Sequence, residues 1–144
     1  MTAPEGWGPH DRASPLTAPW EPLFAKREAA SVKLGLEIRP AHTNSRGRLH
    51  GGLISALADN AMGLSLAARL AEEGRPANTL VTTSLGVDFI SSAVCGQWLE
   101  IDPVVIHAGG RQGVVQALAR ADGKVIARAN ATFRFRHEHN EEDT

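Results

Sequence analysis

The chain has 144 residues, the length of one domain, and it is 42% hydrophobic and 22% charged, as ordinary globular proteins are. A formal net charge of -1 argues against nucleic acid or an anionic membrane as the main partner. The one cysteine, Cys95, excludes an internal disulfide and fits a reducing compartment. No secretory signal and no uncharged span of membrane length are present, so we expect a cytoplasmic protein.

The first part of the chain predicts an arm, a short helix and a strand. Residues 1–19 are rich in Pro, Gly, Ala and Thr without periodicity, which is typical of a flexible arm. Apolar residues at helical spacing predict a short helix over residues 20–30. Alternation of apolar and polar residues predicts a strand over residues 32–39, which Pro40 ends.

A long apolar segment follows, over about residues 51–73, with Gly74 as a helix stop signal. The segment is apolar on nearly every side, which is typical of a buried helix. Asp59 lies in the middle of this surface. Because Asp is a poor helix former and is rarely buried without a partner, its position indicates a function.

Four strands and a polar tail complete the chain. The last strand alternates over its whole length, which is typical of an antiparallel sheet covered on one face. Pro103 predicts an edge position or a bulge, and Asp122-Gly123 predicts a hairpin. We expect an α+β fold, with one domain over residues 20–136 in which the sheet packs on the long helix. The strands are predicted at about residues 79–90, 97–107, 111–120 and 124–136, before a polar tail at 137–144.

The start of the long helix is a candidate for carbonyl chemistry. The first amides of a helix lack partners within it and carry the positive end of its dipole, and Gly51 and Gly52 leave them unshielded. A carbonyl oxygen could be polarised there, as in an oxyanion hole. A glycine pair is also common in tight turns, and His50 taken alone is more often structural than catalytic.

The spacing of Gly51 and Asp59 suggests a shared site. The two lie eight residues apart, or about 12 Å along one helix. A group that promotes attack on a carbonyl and a donor to its oxygen must each lie within roughly 3 Å of the reacting group. If both act on one carbonyl, two subunits with helices running in opposite directions must form the site.

Two motifs carry a resemblance to a known family. One is Asn44-x-x-Gly47-x-x-His50-Gly51-Gly52, which Asp59 follows seven residues after Gly52. The other is Thr82-x-x-Leu85-x-Val87-x-Phe89. Together they resemble the PaaI-like acyl-CoA thioesterases of the hotdog-fold superfamily. The resemblance implies an antiparallel sheet wrapped around a long helix, hydrolysis of acyl-CoA thioesters, and a site at the interface of a homodimer, often paired into a homotetramer.

The resemblance also implies roles for individual residues. Asp59 would be the nucleophile or the general base for water, and the Gly51 amide, helped by the His50 region, would polarise the thioester carbonyl. Asn44 would orient the water or the thioester, and Thr82 would support Asp59. Four further residues are expected to contact the substrate, namely Gly52, Met62, Thr83 and Arg111. Thr83 takes the place of Thr82 if the strand register shifts by one residue. For Arg111 a solvated loop charge is the simpler interpretation.

The sequence departs from the family at two places and leaves alternatives open. Ser91-Ser92 stands where many relatives have Arg-Pro, and Gly63 stands where some have a hydroxyl. The main alternative is a non-catalytic acyl-CoA-binding or sensing module on the same fold; a hydratase is disfavoured because no histidine follows Asp59 in the helix. The sequence does not decide whether the accepted acyl group is aryl, phenylacetyl or medium-chain.

We expect no cofactor beyond the CoA of the substrate. The sequence has no zinc-ligand spacing, nucleophile elbow or Rossmann glycine pattern. His137 and His139 are typical of surface histidines in a polar tail.

Overall fold

The computed structural model describes residues 3–137. Most of the predicted tail, including His139, lies outside this range. The described residues form one long helix and seven strands. In chain order these are β1 (Gly8–Pro9), β2 (Phe24–Glu28), β3 (Ser31–Glu37), α1 (Gly51–Glu72), β4 (Ala77–Phe89), β5 (Trp98–Ala108), β6 (Gln112–Ala121) and β7 (Lys124–His137).

The seven strands form one antiparallel sheet in the order β1-β2-β3-β5-β6-β7-β4. Helix α1 contacts every strand from β3 to β7, so the sheet curves around it. This confirms the predicted α+β fold with a central helix. Within residues 3–137, no helix has both the length and the apolar character that crossing a membrane requires.

The core lies between one face of α1 and the sheet. Leu57, Leu66 and Leu70 are fully buried there, and burial of each side chain contributes roughly 1.5–3 kcal/mol. The backbone of β6 lies directly against the helix at Gly113, where an added Cβ would be 2.5 Å from a Leu66 methyl. A side chain at this position would therefore push sheet and helix apart.

The other face of α1 is only partly covered by its own chain. Asp59, Asn60, Gly63 and Leu64 are only half-buried. The prediction of a helix buried on all sides is therefore wrong for a single chain, because the sheet covers one face only. The uncovered face carries the carboxylate.

The predicted helix over residues 20–30 is wrong. A short 3-10 turn at Ala18–Trp20 is followed by β2, which pairs with β3. The Phe24 ring lies 5.9 Å from that of Trp98, centroid to centroid, and extends the sheet's aromatic packing. Pairing with the free edge of β3 thus overrides a weak local helical pattern.

Part of the predicted arm joins the sheet. Gly8 and Pro9 pair with β2, and the Trp7 ring packs edge-on against Trp98 at 5.2 Å. The division of the chain into arm, domain and tail stays a prediction.

Pro103 and Asp122-Gly123 are the two local signals in the later strands. The ladder between β5 and β3 ends at Ile101, so Pro103 has no strand partner on that side among the described residues, and the predicted edge position agrees with the structure. A register shift follows between Val105 and His107, beyond Pro103. The predicted hairpin is confirmed, since Asp122 and Gly123 turn with φ of 47° and 84° between β6 and β7.

Candidate active site

Asp59 faces β4 across the uncovered side of α1. The Thr82 hydroxyl donates a hydrogen bond of 2.6 Å to Asp59 Oδ1. Within residues 3–137 the second oxygen, Oδ2, has no hydrogen-bond or ion-pair partner. One oxygen is therefore fixed, and the other is available to a ligand.

A bulge in β4 places Thr82 on the helix side. Strict alternation would put Thr82 on the same face as Ser84, but the register shifts between these two residues. Thr82 pairs with the buried Phe133, whereas Val81 pairs with the exposed Arg134. Thr82 therefore faces α1, and its predicted place beside Asp59 agrees with the structure.

Thr83 occupies the bulge and faces elsewhere. Its hydroxyl donates to the backbone carbonyl of Thr132 on β7 at 3.0 Å. Of the two candidate threonines, Thr82 is the one that reaches Asp59 within a chain.

The start of α1 leaves one amide free. His50 is the N-cap residue, and its Nδ1 accepts the Gly52 N–H at 2.8 Å. The Gly51 N–H has no acceptor in the part of the chain that the structure describes. A Cβ on Gly51 would lie 3.0 Å from the Phe89 ring of β4, so glycine is needed for this close approach. Gly51 rather than Gly52 therefore offers its N–H to a ligand.

Gly51 and Asp59 line different cavities of one chain. Asp59 and Thr82 border a cavity of about 670 Å³. Gly51 and Asn44 border another of about 630 Å³, beside Phe89. One chain thus brings the amide and the carboxylate to separate cavities, in agreement with the spacing of about 12 Å along the helix.

His50 faces a third cavity. It lies with Trp20 and Leu53 around a space of about 360 Å³ on another side of the helix start. Its ring nitrogen Nδ1 is used by the cap. The position supports a structural role for His50 in holding the helix start, and a catalytic role stays a prediction.

Asn44 shapes the loop before α1. Its side-chain oxygen accepts the backbone N–H groups of Arg46 and Arg48, at 2.9 and 3.1 Å. Gly47 has a φ of 73°, which the turn requires and which glycine adopts without strain. The Asn-x-x-Gly pair is therefore a turn motif. Only the side-chain nitrogen of Asn44 is left to orient a ligand.

The cavity beside Gly51 is basic. Arg46 and Arg48 line it, and the Arg48 guanidinium donates to the Ser92 hydroxyl at 2.8 Å. Among residues 3–137 neither arginine forms an ion pair with a carboxylate. Their positive charge adds to that of the helix start, and the combination suits a phosphate-bearing ligand.

The structure does not support two predicted substrate contacts. Met62 is completely buried in the core, whereas Asp59 is half-buried and faces the edge strand β4. Arg111 follows a turn whose carbonyl oxygens, at Ala108 and Gly109, bind Arg75 just beyond the end of α1. Since α1 has 22 residues and is about 33 Å long, this turn, which is bound to Arg75, lies near the opposite end of the helix from Gly51 in its own chain.

One wall of the Asp59 cavity comes from residues that carry no signal in the sequence. His10 and Arg12 line it, although the sequence places both in an arm without periodicity. His10 is 8% exposed, and burial lowers its pKa by disfavouring the charged imidazolium. No periodic signal points to this contact, because the segment has almost no regular structure.

A buried histidine also ties the N-terminal segment to the helix start. His42 Nδ1 accepts the Arg39 N–H at 2.9 Å, and Nε2 lies 3.0 Å from the Trp20 carbonyl oxygen. Burial lowers the pKa of His42. The His42 carbonyl accepts the His50 N–H at 2.9 Å, so this network supports the cap of α1.

The curved sheet around one helix, with a carboxylate on its uncovered face, defines a hotdog-fold protein. The profile of the Thioesterase superfamily matches residues 46–127. The chain belongs to this family and is a thioester hydrolase by membership.

Individual relatives agree with this assignment. The protein named "Putative esterase PA0474" of Pseudomonas aeruginosa is 35% identical over 134 residues, 92% of this chain and 97% of that protein. Human acyl-coenzyme A thioesterase 13 is 30% identical over 99 residues, 67% of each chain. A mutant of the phenylacetic acid degradation protein PaaI of Thermus thermophilus superposes with a TM-score of 0.68 at 24% identity, covering 79% of this chain and 92% of that one. The predicted PaaI-like hotdog fold is confirmed.

Proposed function

We propose that this protein hydrolyses acyl-CoA thioesters to a free acid and CoA, as a cytoplasmic homodimer or a tetramer of two dimers. The observation that carries the proposal is Asp59, held by Thr82 at 2.6 Å on an uncovered helix face. The acyl-CoA substrate is also supported by the name of the human relative. No cofactor is required in this proposal.

The proposed reaction uses two groups that have no hydrogen-bond partner among the described residues, the Gly51 N–H and Asp59 Oδ2. The Gly51 N–H donates to the thioester carbonyl oxygen and stabilises the negative charge that develops there. Asp59 Oδ2 either takes a proton from the attacking water or attacks the carbonyl carbon itself. The C–S bond then breaks and CoA leaves as the thiolate. On the second route, water hydrolyses the resulting anhydride.

The proposed site lies between two subunits. Strand β4 is an edge of the sheet with no partner on its outer side among the described residues. Its helix-facing Leu85 and Phe89 are 40% and 58% exposed. An exposed apolar edge strand is a ready pairing surface. Pairing of β4 with β4 of a second copy in antiparallel fashion covers these residues and brings the partner's helix start towards Asp59.

The CoA phosphates are assigned to the cavity beside Gly51. Arg46 and Arg48 supply two guanidinium groups without carboxylate partners, which bind phosphate well. Arg48 reaches Ser92 at 2.8 Å, in the region where many family relatives have an arginine of their own.

A panel of acyl-CoA thioesters, assayed for released thiol, tests the proposal. We expect turnover of at least one aryl, phenylacetyl or medium-chain substrate by the wild-type protein. Binding of acyl-CoA without thiol release would contradict hydrolysis and would favour a non-catalytic binding module.

A further inference from the structure

The cavity beside Asp59 extends away from the reacting carbonyl. Its floor runs along α1 from Asp59 to Ala67, about 12 Å of helix. Gly63 lies midway along this floor, where an added Cβ would approach the Phe133 ring at 3.4 Å and Leu80 at 3.6 Å. Residues 10–14 form the wall opposite β4. This space, of about 670 Å³, lies where an acyl group attached to a carbonyl at Asp59 extends.

The wall of this cavity carries one unpaired cation. Arg12 is the only Lys or Arg that lines the cavity among residues 3–137. It forms no ion pair with a carboxylate of the described residues, whereas Arg27 pairs with Asp11 at 3.8 Å. A guanidinium without a partner in a substrate cavity is suited to bind a carboxylate through two parallel hydrogen bonds.

A second polar group of the wall also lacks a partner. His10 is 8% exposed, and its Nδ1 is buried without a hydrogen bond in the described part of the chain. A buried polar nitrogen that is left unpaired costs free energy.

We propose that this cavity selects acyl groups that end in a carboxylate, which Arg12 binds. The inference rests on the proposed function in taking the reacting carbonyl to lie beside Asp59. The charge of Asp59 repels a second carboxylate that comes close to it. The preferred acyl group is therefore long enough to keep its carboxylate away from Asp59, so a medium-length chain is favoured over malonyl or succinyl groups.

Binding of two matched ligands tests this inference without requiring turnover. The ligands are thioether analogues of octanoyl-CoA and suberyl-CoA, which have equal chain length and differ by a terminal carboxylate. Calorimetry is carried out on the wild-type protein, on Arg12→Gln, and on Arg12→Lys, which keeps the charge. Arg27→Gln is the matched control, since Arg27 is also an exposed arginine near the N-terminal segment but does not line the cavity.

We expect the wild-type protein to bind the suberyl analogue more tightly than the octanoyl analogue. Arg12→Gln should weaken the suberyl analogue about tenfold in Kd and leave the octanoyl analogue unchanged. The Kd of Arg12→Lys for the suberyl analogue should lie between the values of the wild type and Arg12→Gln. The Kd of Arg27→Gln should match that of the wild type. No preference in the wild type, an equal effect of Arg12→Gln on both ligands, or binding of neither ligand would overturn the inference. If only the proposed hydrolysis is wrong, the result is different. The suberyl analogue would then still bind more tightly than the octanoyl analogue, but acyl-CoA thioesters would release no thiol.

Discussion

The Thr82 hydroxyl holds one oxygen of the Asp59 carboxylate at 2.6 Å, across the gap between an edge strand and an uncovered helix face. A bulge just after Thr82 makes this contact possible, because it turns the hydroxyl towards α1. The pair leaves the other carboxylate oxygen free for water or for the thioester carbon.

Asp59→Asn should abolish most of the turnover. The amide can accept the Thr82 hydrogen bond, but it can neither take a proton from water nor attack a thioester, so we expect kcat to fall by about 10²–10⁴-fold. Binding of acyl-CoA should persist, as measured by calorimetry beside the thiol-release assay. Normal turnover by this variant would show that the carboxylate has no chemical role.

Thr82→Val should lower kcat by about tenfold and change KM little, since the hydroxyl positions Asp59 rather than the substrate. Thr82→Ser should recover most of the activity. Thr83→Val is the matched control, because the Thr83 hydroxyl bonds to the Thr132 carbonyl on β7 instead. Equal losses in Thr82→Val and Thr83→Val would mean that the effect comes from the strand and not from Asp59.

Gly113→Ala should destabilise the fold. The new Cβ would meet two Leu66 methyl groups at 2.5 and 2.8 Å in the packed core, and such overpacking costs about 1–3 kcal/mol. Urea unfolding measures the change in the free energy of unfolding. Gly110→Ala is the control, since a Cβ at Gly110 has no atom within 4 Å. Equal stability of the two variants would refute the predicted contact between β6 and α1.

The free energy of unfolding should fall as the pH drops from 7 towards 5. Burial lowers the pKa of His10 and of His42 below the ordinary value of 6.5, so the unfolded chain binds more protons than the folded one in this range. The stability that these groups contribute is present above about pH 6.5 and is lost as the pH falls through their folded values. Denaturant unfolding at a series of pH values checks this. His42→Gln should weaken the dependence, and an unchanged slope would rule out its contribution.

The elements with strong periodicity could be predicted from the sequence. The long helix, five of the seven strands and the Asp122-Gly123 turn follow from local patterns that the tertiary structure reinforces. The strand over residues 24–28 could not be predicted in this way. Its order comes from pairing with β3 and from the packing of Phe24 on Trp98, and neither leaves a periodic signal in the segment.

Some residues of the candidate site could likewise be predicted from the sequence, and others could not. Asp59 stands out because a carboxylate interrupts an apolar helix, and Thr82 stands out only through the resemblance, since strict alternation puts it on the wrong face. Met62 illustrates the limit of sequence spacing, because a residue three positions from Asp59 points into the core. Arg12 has no local signal, since its place in the cavity depends on where the N-terminal segment lies in the folded chain.

The shared site is tested most directly by mixing two inactive variants. Asp59→Asn removes the carboxylate, and Gly51→Val obstructs the amide next to Phe89. After the two proteins are unfolded together and refolded as mixed dimers, each heterodimer contains one site with an intact Asp59 and an intact Gly51 from different subunits. Thiol release should then recover to about a quarter of the wild-type value, because half of the random dimers are mixed and half of their sites are intact. If the mixture stays as inactive as the separate variants, although size-exclusion chromatography shows folded dimers, the two groups do not act together across a subunit interface.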